Sequence, residues 1–168
     1  MLPRRLSVFL VITLLFPTYQ VIRPQRDVNA EETVAANFLK LRRDAGLAPV
    51  KRIVGDAFSR AACEAAAHGN PEKVWVENAN YAAMVYSTAR PEDVQQIAAM
   101  ATRTWKPDQR FLIGACAATT PAFPSGRYWV AVGVLGEVSE RSVAELLSGR
   151  AVTTRVRAAT TPQPQAGE

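Results

Sequence analysis

Histidine and cysteine are scarce in this 168-residue chain: one histidine, His68, and two cysteines, Cys63 and Cys116. One imidazole and two distant thiols fall short of the three or four ligands that a zinc site requires, and no CxxC redox motif is present. The chain also lacks a Gly-x-Ser-x-Gly elbow, a phosphate-cradling glycine loop and a His-Glu-x-x-His helix. Those absences remove the α/β-hydrolase, P-loop and zincin classes. A Ser–His–Asp arrangement through His68 stays open, although nothing singles out its serine. No internal repeat is visible. No cluster of lysine and arginine interleaved with aromatic residues occurs in the body of the chain, so nucleic acid is not an expected partner.

The composition, 48% apolar and 21% charged, is that of one globular domain with a substantial core. The formal charge of +5 is concentrated at the start. Residues 1–30 hold Arg4, Arg5, Arg23 and Arg26 against Asp27. Arg4 and Arg5 precede an apolar stretch, Leu6–Phe16, that is closed by Pro17. A short positive region followed by an apolar run is the layout of a secretory signal. The run is short for a membrane span, which needs about 20 apolar residues. Extending it through Val21 and Ile22 takes in Pro17 and Gln20. Val28-Asn29-Ala30 has small residues suited to cleavage but lies far from the run. Residues 1–30 therefore read as a signal peptide or an N-terminal anchor with a short linker. Membrane contact is confined to residues 6–22 and depends on the segment being retained. The expected location is exported: secreted, periplasmic or on the outer face of the cytoplasmic membrane. In such an oxidising compartment Cys63 and Cys116 either form a disulfide or lie apart as small buried residues; both readings stay open.

From Glu31 to Ala45, apolar residues at Val34, Phe38 and Leu41 repeat at helical spacing, with acids in the first turn and Gly46 as the stop. An extended piece, Pro49–Val54, leads to Asp56 as an N-cap and to an alanine-rich helix, Ala57–His68, closed by Gly69. Pro91, Glu92 and Asp93 start a third helix whose face is Val94, Ile97, Ala101 and Trp105. Phe111–Ala118 and Arg127–Leu135 read as strands joined in an antiparallel hairpin through the loop Thr119–Gly126. Gly114 and Gly133 inside them mark bulges or close backbone approach. Tyr128, Val130, Val132 and Val134 face one way, and Trp129, Ala131 and Leu135 the other. Apolar residues on both faces imply a sheet covered on both sides. A last helix around Ser142–Leu147 has a capping-box spacing, Ser142 to Glu145. Residues 151–168 read as a polar, disordered tail. The fold class that follows is α+β, a three-layer α/β/α sandwich with a central antiparallel sheet.

The stretches LRRDAGLAPV (Leu41–Val50), FSRAACEAAAHG (Phe58–Gly69), VENAN (Val76–Asn80), FLIGACAA (Phe111–Ala118) and GRYWVAVGV (Gly126–Val134) occur in that order. In order and spacing they resemble the CAP superfamily of cysteine-rich secretory, antigen-five and pathogenesis-related proteins, in an SCP-like bacterial form. The resemblance covers roughly residues 31 to 136, and Val76 stands where that family usually has glycine. It implies a CAP-like domain over residues 31–150.

In many members two histidines and two acidic residues line a cleft that can hold a divalent metal. By position, Glu77 corresponds to the acid of the Glu-Asn segment, followed by Asn78, and His68 to the first histidine. The second histidine position falls where this chain reads KPDQR (Lys106–Arg110). The remaining glutamate position meets only Gln95 and Gln96. The resemblance thus implies a degenerate cleft marked by His68, Glu77 and Asn78, with no metal, no cofactor and no catalytic residue. The structural alternatives are a helix C-terminus for His68, a solvated strand edge for Glu77 and an Asx turn for Asn78. The expected function is an exported, non-catalytic ligand-binding or interaction module, for a lipid or sterol-like ligand or for a component of the cell envelope. The alternative is an envelope-acting hydrolase that uses Glu77 and His68.

Overall fold

The computed structural model describes residues 23–69 and 72–159. The stretch read as a signal or anchor, residues 1–22, lies outside them, as do residues 160–168. Among the described residues no helix is long and apolar enough to cross a membrane. The elements in chain order are β1 (Gln25–Arg26), α1 (Val28–Asp44), β2 (Lys51–Arg52), α2 (Asp56–His68), β3 (Val74–Glu77), β4 (Tyr81–Thr88), α3 (Gln95–Ala101), β5 (Arg110–Thr120), β6 (Phe123–Leu135) and α4 (Glu140–Ala159).

The strands form one sheet in the order β1-β5-β6-β4-β3, antiparallel throughout, with the short β2 added parallel to the start of β5. The side-chain alternation of β6 divides the core as its sequence predicts. Trp129, Ala131 and Leu135 pack with Phe58, Ala61, Ala62, Ala65 and Ala66 of α2 and with Val143, Ala144 and Leu147 of α4. Val130, Val132 and Val134 pack on the opposite face with Val34 and Phe38 of α1 and with Ile97 and Met100 of α3. The result is a three-layer α/β/α sandwich.

Alanine on the inner face of α2 lets this helix approach the sheet closely. Opposite it stands Gly114, where an added Cβ would overlap the backbone of Phe58 and Ser59. Gly133 leaves room for the Phe58 ring, whose Cζ would lie 2.6 Å from a Cβ there. Cys63 of α2 is bridged to Cys116 of β5, with Cα atoms 5.0 Å apart. This closes the choice left open by composition in favour of the disulfide. Closing a loop of that length restricts the unfolded chain by about 4 kcal/mol in the chain-entropy account.

Several boundaries differ from the sequence expectation. α1 starts at Val28 because Asp27 caps it, accepting the Ala30 N–H at 2.9 Å. Together with β1, this puts residues 25–30 inside the folded unit rather than in a linker. α2 has Gly55 as its N-cap, and Asp56 is its first helical residue. α3 is shorter than its apolar periodicity suggests. At its start, Asp93 folds its carboxylate onto the Gln95 N–H at 3.0 Å. At its end, Arg42 takes the Ala101 and Arg103 carbonyls at 2.9 and 2.8 Å, and the Trp105 indole takes that of Met100 at 2.9 Å. The β5–β6 connection contracts to a turn at Pro121 and Ala122, with an irregularity in register between Ala118 and Thr120. α4 begins at Glu140, so Ser142 lies within it and is not a cap. It runs to Ala159, into the stretch 151–168 that composition reads as a disordered tail.

The close approach of α2 to the sheet sets a test. Gly114→Ala should cost about 3 kcal/mol, through overpacking against backbone that cannot rotate away. Gly149→Ala, in α4 with nothing within 4 Å of its Cβ position, should be neutral or stabilising by up to about 1 kcal/mol. Urea unfolding midpoints of the two variants decide the point. Equal midpoints would refute the proposed packing.

Candidate functional site

The segment Trp75–Tyr81 closes a hairpin at the edge of the sheet. Among the described residues β3 pairs only with β4, in the register Trp75↔Met84 and Glu77↔Ala82. Val74 and Val76 point into the α2–α4 layer, whereas Trp75 packs against the α1–α3 core. By the same alternation Glu77 projects to the α1–α3 side. Asn78 makes the turn: its Oδ1 accepts the N–H groups of Asn80 at 2.8 Å and Tyr81 at 3.1 Å. Its side-chain oxygen is thus committed to backbone, the Asx-turn role.

Glu77 receives Arg103 Nη1 at 2.9 Å, and its side chain is 47% exposed. Its carboxyl is held below the ordinary range, first by the Trp75 indole and then by Arg103. The Arg103 guanidinium also lies 4.9 Å from the centre of the Trp105 ring. Trp75, Glu77, Arg103 and Trp105 therefore form one continuous surface cluster in which acid and base neutralise each other. The neighbouring Lys106–Arg110 stretch folds on itself. The Lys106 N–H donates to Gln109 Oε1 at 2.7 Å, and the Gln109 N–H to the Lys106 carbonyl at 3.1 Å. Nearby, Lys73 Nζ donates to the Gln96 carbonyl at 3.0 Å.

His68 ends α2, followed by Gly69 at φ 60°, whose N–H returns to the Ala65 and Ala66 carbonyls. That is a helix C-terminus in the layer on the other face of the sheet from Glu77. No hydrogen bond or ion pair joins His68 to Glu77, so the structure brings Glu77 and Asn78 together in one hairpin but leaves His68 apart. Among the described residues no group of three or more histidine, cysteine, aspartate or glutamate side chains is placed to hold a metal ion.

Two buried charges were not singled out by sequence reasoning. Glu31, 2% exposed, accepts Arg26 Nε at 2.9 Å and Nη2 at 3.0 Å, Ser59 Oγ at 2.7 Å and the Ala115 N–H at 3.2 Å. Arg42, equally buried, gives its fork to the carbonyls of Ala48, Ala101 and Arg103. A signal for both was present: Glu31, Val34, Phe38 and Arg42 fall on one helical face, so the stripe that buries Val34 and Phe38 also carries two charges inward. Ser59 and Glu31 resemble a nucleophile and base, but both Glu31 oxygens are already occupied by donors. The Ser59 hydroxyl meets the same oxygen, Oε1, that Arg26 Nε and the Ala115 N–H already hold, so the cluster holds structure.

The two glutamates should respond differently to removal of their charge. Glu31→Gln leaves the buried Ala115 N–H and Ser59, and the half-exposed Arg26, poorly matched at a buried position, and should cost about 3 kcal/mol. Glu77→Gln breaks an exposed pair and should leave the unfolding midpoint unchanged. Equal destabilisation by the two would reverse this division of roles.

Compared with known proteins, the chain matches no family model, no curated protein and no solved structure.

Proposed function

We propose that this chain is an exported, CAP-like domain that acts by binding and not by catalysis, with its cleft position at Glu77 closed by an internal ion pair. The observation that carries this reading is the Glu77–Arg103 pair at 2.9 Å. A carboxylate that serves as metal ligand or general base must offer its lone pairs to a metal or a substrate proton. Here one oxygen is taken by a guanidinium, which supplies the positive charge a cation would otherwise bring. His68, the other residue that acid–base chemistry would need, sits in a different layer. The three-layer sandwich and the order of its elements are compatible with the CAP resemblance. The Cys63–Cys116 bridge suits an oxidising compartment.

The half-buried tryptophans, Trp75 and Trp105, flank the ion pair and give the hairpin edge a mixed apolar and charged surface. Such a surface suits an apolar ligand with a polar head, of the lipid or sterol kind, or a component of the cell envelope. Hydrolysis of envelope material through Glu77 and His68 is the competing reading, and the separation of the two residues counts against it.

Incubation of the purified full chain with isolated envelope material tests the choice directly. The expected result is saturable retention with no release of soluble fragments, in wild type and in Glu77→Gln alike. Release of fragments that disappears in Glu77→Gln and in His68→Ala would establish the hydrolase instead. Calorimetric titration with zinc should show no binding tighter than about millimolar, because one imidazole and one paired carboxylate cannot surround the ion. Micromolar binding abolished by Glu77→Ala would show the cleft to be intact. Export itself is checked by fractionating cells that make the full chain; a wholly cytosolic pool would overturn it.

A further inference from the structure

A recess on the α2–α4 side of the molecule is separate from Glu77. Its volume is about 590 Å³, and its lining includes Asp56, Arg60, Arg110, Ser139, Glu140 and Arg141. Three guanidiniums thus open onto one space. They come from α2, from the first residue of β5 and from the first turn of α4.

Several arginines of this protein have acceptors. Arg26, Arg52 and Arg103 hold carboxylates, Arg42 holds carbonyls, and Arg127 holds Ser87. Arg60 and Arg141, like the exposed Arg43 and Arg90 outside the recess, have no hydrogen-bond or ion-pair partner for the guanidinium among the described residues, but these two share one space with Arg110. Arg110 spends one nitrogen on the Gly136 carbonyl at 3.3 Å and keeps the rest. The carboxylates in and beside the lining form no direct ion pair with this group. Asp56 is engaged with Arg26 Nη1 at 2.9 Å. Glu140 lies against Gly55, with its carboxylate in the space that a Cβ there would fill. Glu64 and Glu145 line the adjoining cavity together with Arg60 and Arg141, and pair with neither.

Like charges on packed helices repel unless something of opposite sign lies between them. The two helices also begin at this recess, and Gly55, the N-cap of α2, has no side chain to satisfy the first amide groups. Their positive ends add to the arginines and are partly offset by Asp56 and Glu140 in the first turns.

We propose that the recess binds a phosphate group, with Arg60 and Arg141 as its principal donors and Arg110 as the third. Guanidinium forks match the spacing of phosphate oxygens, and three of them offer more donors than a single carboxylate ligand can accept. The phosphate comes from a soluble phosphoester or from a lipid headgroup. Glu140 competes with it and limits affinity. This inference is independent of the reading of Glu77.

The probe is inorganic pyrophosphate, titrated calorimetrically into the full chain in mild detergent at fixed ionic strength. Saturable binding is expected, weakened about tenfold or more by Arg60→Gln or Arg141→Gln and lost in the double variant. Glu140→Gln should bind more tightly, and Arg43→Gln, an exposed change outside the recess, should bind as wild type does. Circular dichroism of each variant confirms that its fold is kept. Flotation with phosphatidylcholine vesicles, with and without phosphatidic acid, separates the sources. Phosphatidic-acid-dependent flotation lost in the double variant assigns a headgroup; pyrophosphate binding without that loss assigns a soluble ligand. Absence of both, or binding untouched in the double variant, overturns the proposal.

Discussion

One buried carboxylate joins the layers of this sandwich. The outer edge of β5 is covered by β2 at Arg110 and Phe111 and by β1 at Cys116 and Ala117. Between those two short strands the ladder is interrupted, and the Ala115 N–H would be left without a strand partner. Glu31 fills that place from α1, accepting the amide while also holding Ser59 of α2 and Arg26 beside β1. α1 and α2 lie on opposite faces of the sheet, so the carboxylate ties the two helical layers around the sheet edge. A charge is costly to bury, and here four donors compensate it. Substitution by an apolar group would leave those donors facing one another.

Arg42 plays the complementary part at the other end of α1. Its guanidinium collects carbonyls from the α1–β2 loop and from the end of α3, and burial lowers its pKa. By taking the carbonyls that would have continued the helix, it fixes where α3 stops. Arg103 and Trp105 then leave the helix and turn toward β3, which brings Arg103 to Glu77. The ion pair on which the functional reading rests is therefore a downstream effect of a buried arginine some distance away in the sequence.

Layer count and strand facing were legible in the sequence because each depends on local periodicity, whereas the disulfide was only one of two readings until α2 was placed on β5. The alternation of Tyr128 through Leu135 predicts both cores, and Gly114 and Gly133 predict close approach. Helix ends were less legible. α3 stops early because of Arg42, and α4 begins early at Glu140; neither boundary is encoded near the residues it affects. The site was legible only in part. Asn78 as a turn former and His68 at a helix end follow from neighbouring residues. The pairing of Glu77 with Arg103 needs the sheet register and the α3 terminus together, and the Arg60–Arg110–Arg141 recess needs three elements that sequence spacing cannot bring together.

The place where β1 meets β5 has a mechanical consequence. Arg26 is paired with Cys116, the residue of β5 that is covalently bridged to α2. Tension arriving from the N-terminal side enters the domain at β1, beside the only covalent tie between a helix layer and the sheet among the described residues. It is then shared between strand and helix, and sliding of α2 along the sheet is blocked at that point. A domain held at its N-terminus would bear load through a short, cross-linked corner, leaving the hairpin edge at Glu77 outside the path of the force.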